Sequence, residues 1–154
     1  MFSGVALASS EVPEDLVERH ELGRRVYARG GEREVRFLLA DAERVLPVWL
    51  DGRLQIVRWG TRRGQSRVLP CTAWSWRATF EKGGWGRRAE PVVIPATMGL
   101  DRGVWFHVTE GVRGIVVRDD CGEAVVYMLV EPSTHYYQVM TRSEWMPSLV
   151  GQLI

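Results

Sequence analysis

The order of apolar and polar residues along the chain predicts mainly β-strands. Alternation with a period of two is typical of a half-buried strand, and a short continuous apolar run is typical of a buried one. The segments with these patterns are 2–8, 33–39, 45–50, 54–60, 91–96, 104–108, 113–119 and 123–131. Asp51 and Gly52 stand between two of them and give a strong hairpin signal. We expect the last three segments to form a meander.

Two helices are predicted near the ends of the chain. The serines at 9–10 are candidate N-caps for a helix with Pro13 in its first turn and Gly23 at its end. The pattern Thr-x-x-Glu at 141–144 matches a capping box and predicts a C-terminal helix. Together the patterns predict one α+β domain over 1–154, with a mostly antiparallel, barrel-like β core and a few peripheral helices.

Length and cysteine content narrow the class of protein. The 154 residues and 17.5 kDa suit one domain with a substantial core. The apolar N-terminus is short and lacks a basic region, so we expect no signal peptide, and no apolar run approaches the roughly 20 residues that cross a bilayer. Cys71 and Cys121 lack metal-ligand spacing, which indicates reduced thiols in a cytoplasmic protein without a metal.

A basic, tryptophan-rich middle segment lies between two acidic ends. Residues 52–100 hold nine basic and two acidic side chains, whereas 1–51 hold seven and ten, and 101–154 hold four and seven. Guanidinium groups can grip phosphates and indole rings can stack on bases, so the segment predicts binding of single-stranded nucleic acid. The alternative is that the tryptophans are core residues and the arginines are solvated. The candidate contacts are Arg62, Arg63, Trp74, Trp76, Trp85, Arg87 and Arg88.

Motifs of catalysis are sparse. The sequence has no nucleophile elbow, zinc-protease motif, phosphate-binding loop or dinucleotide fingerprint. Asp101 at a strand end is the best carboxylate candidate, although a turn aspartate is the more common explanation. His135 follows a long apolar strand in a polar and aromatic connection, where active groups concentrate.

From residue 45 onward, several motifs resemble in order those of the SOS-response-associated peptidase (SRAP) family. VLPVWLDGRLQIVRWG (45–60) resembles its proline-containing strand, turn and strand that end in Trp-Gly. SWRATF (75–80) resembles Asn-Ala-Arg-Ala-Glu-Thr, and VVIPATMGLD (92–101) resembles Val-Pro-Ala-Asp-Gly-Phe-Tyr-Glu. HYYQVMTRSEWMPSLV (135–150) resembles its His-x-Arg-Met-Pro-Val-Ile-Leu strand and the helix that follows.

The resemblance implies a function on damaged DNA. SRAP proteins bind single-stranded DNA and capture abasic sites through a cysteine at position 2, whose amine and thiol condense with the sugar aldehyde into a thiazolidine. By the resemblance, Ser75 and Arg77 stand where an asparagine and an arginine hold the DNA backbone. Asp101 stands at the family's glutamate and His135 at its histidine, which assist proton transfer. Aligning SEWMP (143–147) instead places Ser143 at the histidine position.

Position 2 departs from the family. Phe2 supplies no thiol, and its bulk is expected to keep Met1 in place, whose α-amine is a chemically allowed nucleophile. We therefore predict a monomer, cytoplasmic or nucleoid-associated, that binds single-stranded or abasic DNA without a cysteine-dependent crosslink, a cofactor or a membrane partner. Whether any enzymatic activity remains stays open. The alternative is a non-enzymatic, β-rich interaction module with no nucleic-acid role.

Overall fold

The computed structural model describes residues 1–152, in which β-strands are the most abundant regular secondary structure. The strands are β1 (Phe2–Ala8), β2 (Val26–Arg29), β3 (Glu32–Leu38), β4 (Val45–Leu50), β5 (Arg53–Trp59), β6 (Trp74–Trp76), β7 (Glu90–Pro95), β8 (Met98–Asp101), β9 (Val104–His107), β10 (Gly111–Arg118), β11 (Ala124–Pro132) and β12 (Trp145–Pro147). The α-helices are α1 (Glu14–Arg19), α2 (Arg77–Glu81) and α3 (His135–Thr141). Short 3-10 turns occupy Ser9–Glu11, Leu22–Arg25 and Gly86–Arg88.

The strands form two sheets, one of which closes on itself. The first sheet is antiparallel and has the order β2-β3-β1-β8-β9. In the second, the order β10-β7-β4-β5-β11 is closed into a five-stranded barrel by pairing of β10 with β11. β11 runs parallel to β5 and β6, and β12 pairs with its end. The predicted α+β fold with a mostly antiparallel, barrel-like core and a few helices is confirmed.

The hairpin between β4 and β5 shows why the local pattern was informative. Asp51 and Gly52 have φ values of 55° and 75°, as a two-residue turn with positive φ at both positions requires. Aspartate and glycine tolerate this conformation better than most residues, so the turn fixes the register in which Leu50 pairs with Arg53.

The largest apolar cluster joins both sheets and α3. Phe2, Phe37, Trp59 and Tyr137 are its largest members with almost no exposed surface. A smaller cluster around Tyr127 packs on the other side of β10 and β11. None of the helices in residues 1–152 is both long and apolar enough to cross a membrane.

Glu34 on β3 is a buried acid matched by two arginines. Its carboxylate accepts from Arg29 Nε at 2.5 Å and from Arg36 Nε at 2.9 Å. Burial by itself would raise the pKa of Glu34, but the hydrogen bonds and charges of the two arginines lower the pKa below its ordinary value. Both arginines also lie over the ring of Trp105, which joins β9 to this surface of the first sheet.

The helix predictions were less accurate than the strand predictions. Residues 9–10 belong to a 3-10 turn, and α1 begins after Pro13, which has no capping side chain. At the other end, the predicted helix from 141–144 is wrong, because Thr141 ends α3 and Arg142 then adopts a left-handed conformation. Thr134 is the N-cap, since its Oγ1 accepts from the Tyr137 N–H.

The predicted three-strand meander is also only partly correct. β10 and β11 form a hairpin, as expected, but β9 pairs with β8 in the first sheet. Gly111, at the start of β10, lies against β7 rather than against β9. The turn after β9 therefore carries the chain from one sheet to the other.

Candidate functional site

Pairing of β1 with β8 brings the first residue of the chain to Asp101. Phe2 is in register with Asp101, and an irregularity of the pairing follows before Gly4. The Met1 α-amine lies 2.9 Å from Asp101 Oδ1, forming an ion pair. Asp101 is fully buried, whereas the Met1 side chain is about half exposed. The carboxylate thus holds an amine at the edge of the protein surface.

Two hydroxyl groups complete the hydrogen bonding of this carboxylate. Tyr137 on α3 donates to Asp101 Oδ2 at 2.6 Å, and Ser143 donates to Oδ1 at 2.6 Å. Burial and the hydrogen bond to Asp101 raise the pKa of Tyr137, so its phenol stays protonated and remains a donor. A buried carboxylate is tolerated when donors surround it in this way.

Thr141 fixes the position of Ser143. Its hydroxyl donates to the Tyr137 carbonyl at 2.8 Å, and its Oγ1 accepts from the Ser143 N–H at 3.2 Å. The end of α3 is therefore tied back onto its own preceding turn. Because both donors to Asp101 depend on this short segment, the helix end and the carboxylate form one polar unit.

An open cavity of about 430 Å³ lies at the amine. Met1, Ser143, Trp145 and two arginines, Arg102 and Arg142, line it. Both arginines are exposed, and within residues 1–152 neither forms an ion pair with an acid. Their guanidinium groups are therefore available to an anion, although Glu144 also lines the cavity.

An exposed aromatic pair adjoins the cavity. Trp145 on β12 is 37% exposed and Trp76 on β6 is 38% exposed. Their rings meet edge to face with 4.0 Å between centroids, because β12 and β6 both pair with the end of β11. One wall of the cavity is thus continued by indole surface that is accessible to a ligand.

The predicted catalytic residues are only partly brought together. Met1 and Asp101 are in contact, but His135 is exposed at the start of α3 and makes no hydrogen bond to the carboxylate in the described chain. Ser143 makes that contact instead.

Arg77, which is predicted to contact a phosphate of the DNA backbone, donates hydrogen bonds to two carboxylates. Its Nε donates to Glu81 at 2.8 Å and its Nη1 donates to Glu131 at 3.1 Å. These hydrogen bonds raise the pKa of Arg77 above its ordinary value. A phosphate contact would have to compete with the two acids. Ser75, the other predicted backbone contact, accepts from the Trp85 indole at 2.9 Å.

The four tryptophans of the basic segment have different surroundings. Trp59 and Trp85 are buried, Trp85 against Tyr127 in the smaller apolar cluster. Trp74 is half buried against the main core, and Trp76 is exposed. Trp76 is thus the exposed ring of the four, whereas Trp85 is a core residue.

The remaining predicted DNA contacts do not line the cavity at Met1. Arg63, Arg87 and Arg88 are exposed, and Arg88 lies over the Trp85 ring, 5.4 Å from its centroid. Arg62 is half buried and lines a second cavity. The basic segment is therefore spread over several surfaces rather than gathered at one site.

The sequence patterns had not singled out Arg102, Arg142, Tyr137 or Trp145. Arg102 directly follows Asp101, and Arg142 directly precedes Ser143. An examination of the neighbours of these two candidate residues would therefore have found both arginines. Among residues 1–152, no three His, Cys, Asp or Glu side chains lie close enough together to hold a metal ion.

In comparisons with protein-family models, curated proteins and solved structures, no match to the chain was found. The resemblance to SRAP motifs therefore stays a prediction. The polar unit at Met1 and Asp101 has to be interpreted from its own geometry.

Proposed function

We propose that this protein binds single-stranded DNA and receives the aldehyde of an abasic site at the Met1 amine, without forming a stable crosslink. The observation that carries the proposal is the ion pair between the Met1 amine and the buried Asp101, at an open cavity of about 430 Å³. We expect a monomer that meets its DNA in the cytoplasm or at the nucleoid.

The chemistry requires a neutral amine and an open sugar aldehyde. The amine nitrogen attacks the aldehyde carbon, a C–N bond forms, and loss of water leaves a protonated imine. Asp101 can take a proton from the ammonium and return one to the departing hydroxyl. Tyr137 and Ser143 hold the carboxylate in place by donating to its two oxygens. Because Phe2 has no thiol, the imine has no second nucleophile to trap it and hydrolyses again.

The cavity surroundings suit a nucleic-acid strand. Arg102 and Arg142 flank the amine without acidic partners, so each can donate to a phosphate of the strand. Trp145 and Trp76 offer exposed indole surface on which a neighbouring base can stack. The proposed DNA contacts are therefore Arg102, Arg142 and Trp145, together with Trp76 from the basic segment.

Borohydride trapping tests the proposal directly. The sequence contains one lysine, so the primary amines are the Met1 α-amine and Lys82 Nζ. Protein whose intact mass confirms Met1 as the first residue is incubated with a single strand carrying one abasic site, with and without borohydride. We expect an adduct only with borohydride, located by peptide mapping at Met1, and undiminished in Lys82→Arg.

Two controls separate the site from nonspecific amine reactivity. Acetylation of the Met1 α-amine should abolish the adduct, and Asp101→Asn, checked for folding by circular dichroism, should slow trapping by about 100-fold or more if the carboxylate moves the proton. An adduct that maps to Lys82, or none above that seen with an intact strand, would rule out the proposed role of Met1.

A second candidate function is a β-rich interaction module with no nucleic-acid role. It is favoured by the burial of Trp85 and by the pairing of Arg77 with Glu81 and Glu131, because both residues were predicted DNA contacts. Titration of a labelled single strand decides between the two. Phosphate contacts release counterions, so affinity should fall steeply with salt, whereas absence of binding at ~50 mM salt favours the module.

A further inference from the structure

A second cavity, of about 250 Å³, is lined by three arginines. Arg44 precedes β4, Arg58 lies on β5, and Arg62 follows β5 in the loop. This cavity shares no lining residue with the cavity at Met1. It is therefore a separate candidate binding site.

Arg44 and Arg62 are held in place by uncharged partners. Arg44 Nε donates to the Leu39 carbonyl at 2.7 Å, and Arg62 Nη2 donates to the Asp41 carbonyl at 2.6 Å. A carbonyl orients a guanidinium group without cancelling its charge. Within residues 1–152 neither arginine forms an ion pair with an acid, so both keep donors and full charge for a ligand.

Arg58 differs from the other two. Its Nη2 lies 2.8 Å from Asp119 and its Nη1 lies 3.3 Å from Glu123. The charge of Arg58 is thus matched within the protein. The cation pair that can attract an anion consists of Arg44 and Arg62.

These two cations are close enough to affect each other. Burial lowers the pKa of Arg44, and the charge of Arg62 lowers it further. Glu43 also lines the cavity but makes no ion pair with either arginine. Burial lowers the pKa of the nearby His20, which is therefore mainly neutral at neutral pH. The lining as a whole holds three arginines and two glutamates, Glu43 and Glu123, so it has an excess of one positive charge. An anion between Arg44 and Arg62 would also relieve the repulsion between these two arginines.

We propose that the cavity between Arg44 and Arg62 binds a phosphate group. Oriented guanidinium forks match the oxygens of a phosphate through paired hydrogen bonds. Sites for drug-sized molecules begin at roughly 300 Å³, and this cavity is smaller, so it suits a phosphate group rather than a whole nucleotide. The site does not depend on the proposed reaction at Met1.

Calorimetric titration with inorganic phosphate, at neutral pH and constant ionic strength, tests the site. We expect saturable binding that weakens about tenfold or more in Arg62→Gln, the effect of losing one charge-assisted hydrogen bond. Arg63→Gln is the matched control, because Arg63 is the next residue, has the same charge and is exposed outside the cavity. Its affinity for phosphate should equal that of the unmodified protein.

Two further ligands identify the source of the phosphate. A single strand with a 5′-phosphate and the same strand with a 5′-hydroxyl are titrated into both variants. If Arg62→Gln weakens only the phosphorylated strand, the site takes a terminal phosphate, and equal weakening of both strands indicates backbone phosphates. Binding of inorganic phosphate alone indicates a small molecule. The proposal is wrong if none of the three ligands distinguishes Arg62→Gln from Arg63→Gln.

Discussion

Removing the Tyr137 hydroxyl tests whether the polar unit at Asp101 is formed as described. The change Tyr137→Phe keeps the ring and its edge-to-face contact with Phe106, 5.4 Å between centroids, so no cavity is created. It removes one of the two hydroxyl donors to a fully buried carboxylate. Asp101 would keep only Ser143 and the Met1 amine.

The expected cost follows from the charge of the acceptor. A hydrogen bond to a charged group contributes about 1.5–3 kcal/mol to stability. For a chain of this size, each kcal/mol shifts Tm by roughly 2–4 °C, so Tyr137→Phe should lower Tm by roughly 3–12 °C. Thermal unfolding followed by circular dichroism at neutral pH measures this shift.

Tyr136 provides the matched control. It is the preceding residue of α3 and is 61% exposed, so Tyr136→Phe should leave Tm unchanged. Equal Tm values for the two variants and the unmodified protein would show that the Tyr137 hydroxyl contributes nothing to stability. In that case the hydrogen bond between Tyr137 and Asp101 would not stabilise the buried carboxylate.

Three further predictions concern other parts of the chain. Trp145→Ala should weaken single-strand binding by about 1–3 kcal/mol in a fluorescence titration, whereas Trp49→Ala, which removes an even more exposed ring outside the cavity at Met1, should not. The pKa of Glu34 is lowered on folding, so its stabilisation is present above about pH 4.3 and is lost as pH falls through the folded pKa. The Tm deficit of Glu34→Gln should therefore shrink on acidification, and a constant deficit would contradict the ion pairs. Phe2→Cys should lower Tm by about 6–12 °C, from a loss of about 3 kcal/mol, and should give a borohydride-independent adduct only in molecules that have lost Met1, as intact mass will show.

The strands could be predicted from the sequence because their signal is local. β1 and β4 coincide with the predicted segments, and the Asp51–Gly52 turn supplied the register of β4 and β5. The partners of β9 and the closure of the barrel by β10 and β11 depend on contacts far apart in the chain, which no local pattern specifies.

The site was predicted in part for the same reason. Asp101 was identified at a strand end, but its hydroxyl partners depend on whether the last helix precedes or follows residue 142. The sequence pattern placed the start of this helix at Thr141, whereas the structure has its N-cap at Thr134. Tertiary packing favours the helix start at Thr134, because this start places Tyr137 in the core and Ser143 at the Asp101 carboxylate. His135 was left exposed by the same choice.

Phe2 is a core residue of this fold, packed where β1 meets β8 and β9. Phe2 is 1% exposed and packs with Phe106, 6.0 Å between ring centroids. Gly99 has no side chain where these rings meet, and a Cβ atom there would lie 2.7 Å from each of them. A cysteine at position 2 would leave part of this space empty. Loss of Met1 would also move the terminal amine by roughly the 3.3 Å rise of one strand residue, away from its present contact with Asp101. The contact of the Met1 amine with Asp101 and the packing of Phe2 against Phe106 therefore both depend on the present register of β1 with β8.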